Sequence, residues 1–224
     1  MSNALVIFAK APLVGQVKTR LCPPLSLEEA AELARCFLVD MVERACRLPT
    51  VRVYLAIMPA ESEPMFRVLL PFPVEYVAQR GVSLGEREHN VFDDLLQRGA
   101  TRVVLIGSDI PTLPLSYLQE AFSHLEDSHC DAVFGPSHDG GYYLVGMRVL
   151  HPALFENIPW STPSVMAETS AQARKHNLNV ALIPSWHDVD DKDDLSYLVT
   201  ELSHPNSETH APRTKAFLVR LGLL

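Results

Sequence analysis

Short apolar runs alternate with amphipathic helical patterns along most of the chain, and this alternation constrains the fold more than any other feature. Residues 4–9 (ALVIFA) form a continuous apolar run, as a strand covered on both faces requires. A long amphipathic helix follows. It starts at Ser26, an N-cap with Glu28 and Glu29 in the first turn, and stops before Pro49. The same reading predicts strands over 51–58, 74–77, 102–107, 132–135, 142–147 and 180–183. It predicts helices over 61–70, 84–99, 115–128, 165–177 and 191–202. Strand–helix–strand units of this kind are right-handed and build a mostly parallel sheet, so the expected fold class is α/β. One domain is expected over 1–202. The polar stretch 203–213, with Pro205 and Pro212, reads as a linker, and 215–223 as a short helix. Residues 203–224 are thus expected to be a linker with a C-terminal helical appendage, able to close on the body or on a second copy as an oligomer contact.

Charge removes several functions. Nineteen Lys and Arg against 27 Asp and Glu leave a net charge of −8, which argues against a nucleic-acid or anionic-membrane binder. No apolar run approaches the ~20 residues of a membrane span. The N-terminus enters a strand directly, without a basic leader pattern. Cys22, Cys36, Cys46 and Cys130 show no C-x-x-C spacing. They read as reduced thiols, and the expected location is the cytoplasm.

In an open α/β sheet, ligands bind beyond the carboxyl ends of the strands, which selects four loops. The first holds Lys10, Gly15, Lys18 and Arg20. It suits a polyphosphate cradle, and equally a surface loop of solvated cations. It is neither a Walker A loop nor a G-x-G-x-x-G turn, so NAD and FAD are not expected. The second, Gly107-Ser108-Asp109, places a carboxylate where Mg²⁺ or Mn²⁺ could sit between diphosphate oxygens, or where it simply caps the turn into Pro111. The third, Asp139-Gly140-Gly141, reads either as backbone pressed against a ligand or as a plain hairpin turn, with His138 facing solvent. The fourth has five aspartates within 188–194. Asp188 and Asp190 alternate with Val189 and point the same way in an extended segment, which suits a metal or substrate site. Asp191, Asp193 and Asp194 read as a capped helix start.

Taken in order, FAKAPLVGQVKTRLCPPLS, QRGVSLGER, GSDIPTL, GPSHDGGYYLVG, WSTPSV and WHDVDDKDDL resemble the nucleotide-diphospho-sugar transferase (GT-A-like) superfamily. Within it, the chain is similar to the bacterial glycosyltransferase family related to 2-phospho-lactate guanylyltransferase. The resemblance spans about 4–198. It implies a Rossmann-like three-layer α/β/α sandwich and a divalent-metal-dependent transferase, either glycosyl or nucleotidyl. The implied partners are a nucleotide or nucleotide-sugar and a small acceptor. Lys10, Gly15, Lys18, Arg20, Gln79, Gly85 and Arg87 then lie at the nucleotide, and Asp109 and Asp190 at Mg²⁺ or Mn²⁺. Asp139, Gly140, Gly141, Trp160, Ser161, Thr162 and Asp188 lie on the acceptor side. Lys18, Arg20 and Asp139 stand nearest the chemistry. One departure is visible: the glycine-rich loop is reduced to Gly15, with Lys18 where a second glycine is expected. The rivals are a non-catalytic nucleotide-binding or regulatory module, and a phosphohydrolase using Asp109 and Asp139. The second lacks an early acidic nucleophile.

Overall fold

The computed structural model describes residues 2–204 and 211–224. The apolar runs become β1 (Asn3–Lys10), β2 (Val51–Met58), β3 (Glu75–Ala78), β4 (Arg102–Gly107), β5 (Ala132–Pro136), β6 (Tyr142–Met147) and β7 (Val180–Leu182). The helices between them are α1 (Leu27–Ala45), α2 (Glu63–Leu69), α3 (Leu84–Gln97), α4 (Leu115–His124), α5 (Val165–Lys175), α6 (Lys192–Ser203) and α7 (Pro212–Arg220). The strands form one sheet in the order β3-β2-β1-β4-β6-β5-β7. Its pairings are parallel except for β6, which runs antiparallel to β4 and β5.

Alternate residues of each strand feed two cores. Leu5 and Ile7 pack with Leu38, Met41 and Val42 of α1 and Leu118 and Phe122 of α4. Ala4 and Val6 pack on the other face with Val91, Phe92 and Leu95 of α3 and Ala173 of α5. The continuous apolar runs are therefore sheet strands covered on both sides, and the result is the three-layer α/β/α sandwich.

Element ends follow local chemistry. Ser26 caps α1 in a reciprocal capping box with Glu29. The expected helix over 61–70 opens as a 3-10 turn, Ala60–Ser62, before α2. The helix expected to reach 128 ends at His124. Part of the linker expected over 203–213, residues 205–210, lies outside the described residues.

The last helix docks on the body. Ala211, Phe217 and Leu218 are buried with Leu33 and Phe37 of α1 and Leu195 and Leu198 of α6. The Asp40 carboxylate of α1, 1% exposed, accepts hydrogen bonds from the backbone N–H groups of Arg213 and Thr214 and from the Thr214 hydroxyl. It satisfies N–H groups that a helix start leaves unpaired. Among the described residues no helix is long and apolar enough to cross a membrane. The four cysteines are free thiols.

Candidate active site

The strand order reverses between β1 and β4, and both run parallel, so their carboxyl ends open a crevice. A cavity of about 420 Å³ fills it, lined by the ends of β1, β2 and β4 and by the first loop. Four cations border it: Lys10, Lys18, Arg20 and Arg87. Lys10 Nζ donates to the Gln16 carbonyl at 2.8 Å and folds the loop back. Gly15 makes the bend at φ +72°, and nothing crowds its Cα closely. It shapes the loop without lining the cavity. Gln79 lines the cavity, with its amide donating to the Ala56 carbonyl at 2.7 Å. Arg87 reaches the Met58 sulfur at 3.2 Å, and its Nε is buried without a partner.

Lys18 holds the centre. Its backbone is left-handed, φ 51° and ψ 31°, and turns the side chain inward, where it is 6% exposed. Its ammonium lies 2.7 Å from Asp109 Oδ2 and 2.7 Å from Asp190 Oδ1. Burial pulls the Lys18 pKa down, but the two carboxylates outweigh it and hold it above the ordinary value. Burial likewise pushes Asp190 up, but the Lys18 contact prevails and leaves it below the usual carboxylate range.

The fourth loop reaches this point because it is stitched across the strand ends. Trp186 N–H donates to the Pro136 carbonyl at 3.1 Å, and Val189 N–H to the Asp109 carbonyl at 3.0 Å. Val189 is fully buried, which turns Asp188 and Asp190 together toward the opposite side. Asp191 caps α6 with Asp194 in a capping box and also pairs with Arg20 at 3.0 Å.

A second cavity, of about 580 Å³, adjoins the first, with Arg20 and Asp190 lining both. Its wall includes Asp139, Gly141, Trp160, Ser161, Thr162 and Asp188. Asp139 Oδ1 accepts from Gly141 N–H at 3.0 Å, so the acid shapes the β5–β6 hairpin turn and lines the cavity at once. Gly140, at φ +91°, carries the 160–165 loop: a Cβ there would collide with the Pro163 backbone. Asp188 accepts from Ser137 Oγ at 3.1 Å. Burial first, then Asp190 and Asp139, push Asp188 up to about 6.

Gly85 sits apart from the cation cavity. A Cβ there would lie 2.5 Å from Trp160 Cζ2, so the bare backbone seats the indole that walls the second cavity. Sequence reasoning missed Glu88. It is 4% exposed, lines the second cavity and accepts a 2.6 Å hydrogen bond from the Tyr142 hydroxyl. The signal was its spacing: Glu88 stands three, four and seven residues before the buried Val91, Phe92 and Leu95, on one helix face.

Asp109 and Asp190 aim oxygens at one point, which in this structure the Lys18 ammonium occupies. Two carboxylates are the protein share that Mg²⁺ or Mn²⁺ takes when substrate phosphates complete the shell. The residues fit such an ion once Lys18 turns away. Among the described residues no group of three or more His, Cys, Asp or Glu is gathered for a metal.

Residues 41–162 match the family described as "Uncharacterized protein conserved in bacteria (DUF2064)". No curated protein sequence matches the chain. Among solved structures, it is similar to one described as a "putative nucleotide-diphospho-sugar transferase" from Desulfovibrio desulfuricans G20. The two share 34% identity over 98% of each chain, with a TM-score of 0.87. The fold also matches a CMP:2-keto-3-deoxy-manno-octonic acid synthetase complexed with CTP, at 13% identity over 88% of this chain and 97% of that one, TM-score 0.58. A third match is 4-diphosphocytidyl-2C-methyl-D-erythritol synthase from Anaerococcus prevotii DSM 20548, at 11% identity over 91% and 97%, TM-score 0.60.

Proposed function

The chain belongs to the DUF2064 family of bacterial proteins, and we propose that it is a nucleotide-using transferase with its nucleotide phosphates in the cation-lined cavity and its acceptor in the adjoining one. The observation that carries this reading is the junction itself. Arg20 and Asp190 belong to both cavities, so a phosphate held in the first and an acceptor held in the second meet there. The solved relative described as a "putative nucleotide-diphospho-sugar transferase", which aligns over nearly the whole of both chains, supports the same class.

Lys10, Arg20 and Arg87 offset phosphate charge, and positioning plus electrostatics carry the catalysis. Lys18 is the mobile charge in this scheme. It neutralises Asp109 and Asp190 without substrate and turns to the phosphates when the nucleotide enters. Mg²⁺ or Mn²⁺, when bound by those carboxylates, supplies charge neutralisation at the phosphate oxygens. In glycosyl transfer the anomeric C–O bond breaks and the nucleoside diphosphate leaves with the electron pair. The acceptor oxygen forms the new bond and yields its proton to Asp139 or Asp188. In nucleotidyl transfer the acceptor attacks the α-phosphorus and pyrophosphate leaves.

The deciding experiment screens nucleoside triphosphates and nucleotide-sugars by thermal shift, with and without MgCl₂ or MnCl₂, and then assays positive pairs for released pyrophosphate or nucleoside diphosphate. A ligand that binds only the native state raises apparent stability. The expected result is a metal-dependent shift and turnover with an acceptor. Binding without turnover returns the chain to the non-catalytic nucleotide-binding reading, and no shift with any nucleotide defeats both.

A further inference from the structure

The second cavity supports an inference about the acceptor, which rests on the transferase reading just given. Its ionisable lining is Glu88, Asp139, Asp188 and Asp190 against one cation, Arg20. Arg20 is already paired with Asp191 at 3.0 Å. A phosphate or carboxylate entering here meets like charge from several sides.

The cavity floor adds a second, independent observation. Glu88 is more than nine-tenths buried and still lines the cavity. Its Oε2 takes the Tyr142 hydroxyl, and among the described residues Glu88 makes no other hydrogen bond, so Oε1 is unpartnered. Burial pushes this carboxyl up to about 8, against the pull of the Tyr142 bond. A carboxyl held up there keeps its proton through most of the neutral range, and Oε1 is the oxygen left open to a ligand. Trp160 lines the same cavity, edge to face with Tyr142 at 6.2 Å, and offers an apolar surface beside the polar floor.

We propose that this cavity takes the acceptor as an uncharged polyhydroxylated group, a sugar or polyol, with Glu88 and Tyr142 as the specificity-determining pair. A hydroxyl both donates and accepts, and so matches a protonated carboxyl beside a phenol. An ammonium, which only donates, could use the aspartates of the lining but leaves the Glu88 proton without an acceptor. The aromatic wall suits the C–H face of a sugar ring, in the usual manner of a mostly apolar pocket with a few orienting polar groups.

Saturation-transfer NMR on the full chain tests this, with MgCl₂ and a mixture of UDP, GDP, CDP and ADP present. The probes are methyl α-D-glucopyranoside, methyl α-D-mannopyranoside and methyl β-D-ribofuranoside, the phosphate monoesters of the same sugars, and glucosamine as the cation. The expected result is a neutral glycoside binding about tenfold tighter than its phosphate ester, the scale of one unfavourable charge. Glu88→Leu should weaken that glycoside about tenfold, the scale of one lost hydrogen bond with its partner stranded. Glu88→Gln should retain it, because an amide also donates and accepts. If Glu88→Leu does not fold, Tyr142→Phe takes its place, with the same expected direction. Tighter binding of a phosphate ester or of glucosamine overturns the proposal. So does silence from every glycoside, or a glycoside signal that neither Glu88→Leu nor Tyr142→Phe changes. Nucleotide signals in the same samples report separately on the transferase reading. Their absence beside a persisting Glu88-dependent glycoside signal defeats that reading and leaves the sugar site standing.

Discussion

The two cavities share a border and are built on opposite electrostatic plans. The first gathers Lys10, Lys18, Arg20 and Arg87 around Asp109 and Asp190. The second sets four carboxyl groups against Arg20. The first is assembled from strand ends and the loop that follows β1. The second is assembled from a hairpin turn, a helix face and the 160–165 loop. Adjacent sites of opposite sign can each hold a ligand the other rejects, which fixes the order of groups along a bound substrate pair.

The largest way to break this contrast is to titrate the floor of the acid cavity. Burial holds the Glu88 carboxyl at about 8, above its ordinary 4.5. Below the ordinary value both folded and unfolded states are protonated. Between that value and about 8 only the unfolded state ionises, so unfolding releases a proton and stability falls as pH rises, levelling off above. Over the full window the loss approaches about 5 kcal/mol for one such group. Urea unfolding across that range should show the slope in the parent chain and a flatter profile in Glu88→Gln. Equal profiles would mean that the carboxyl ionises freely.

Gly140→Ala comes next. The left-handed backbone and the collision with Pro163 together should destabilise by about 3 kcal/mol, read as a shift in the unfolding midpoint. In the surviving folded fraction nucleotide affinity should persist, since the wall that suffers belongs to the second cavity alone. Loss of both would show that the cavities are one mechanical unit.

Lys18→Met sharpens the contrast from the other side. Nucleotide affinity should fall by about 1.5–3 kcal/mol, the scale of a hydrogen bond to a charged group, in a calorimetric titration. In the nucleotide-free protein Mn²⁺ should bind more tightly, because the ammonium no longer occupies the point between Asp109 and Asp190. Unchanged Mn²⁺ affinity by electron paramagnetic resonance would show that the two carboxylates do not share an ion.

The smallest effect belongs to Arg20→Ala. Its side chain is 68% exposed and pairs with Asp191, so the loss should be near 1 kcal/mol for an exposed charge contact. Its diagnostic value lies in reaching both ligands: calorimetry should show weaker nucleotide, and the saturation-transfer experiment an altered sugar signal.

Most of the frame could be read from the residues. The strands were legible because a strand buried on both faces leaves a continuous apolar run, as 4–9 and 103–106 do. The site loops followed from the rule that ligands sit at carboxyl ends, which named Lys18, Asp109, Asp188 and Asp190 before any distance was known. Pairing was not legible. Lys18 and Asp190 are 172 positions apart, and nothing local says that the ammonium sits between two carboxylates rather than on a phosphate. Glu88 hid inside GEREHN, where the surrounding charges suggest a solvated face. The resemblance sets Gly85, inside the predicted helix, beside the nucleotide, whereas its bare backbone seats Trp160, 75 positions later.

Asp40 closes a loop that spans most of the sequence. A carboxylate on the first long helix is buried against partners that belong to residues 213 and 214 of a 224-residue chain. Until residues 213 and 214 dock, this acid has none of the backbone groups that receive it. During that time the carboxylate keeps its water, and the surface of α1 that will hold α7 stays open. Ala34 and Leu38 of the same helix line the cation cavity, while Leu33 and Phe37 beside them pack on α7, so one helix joins the seat of the last helix to the site.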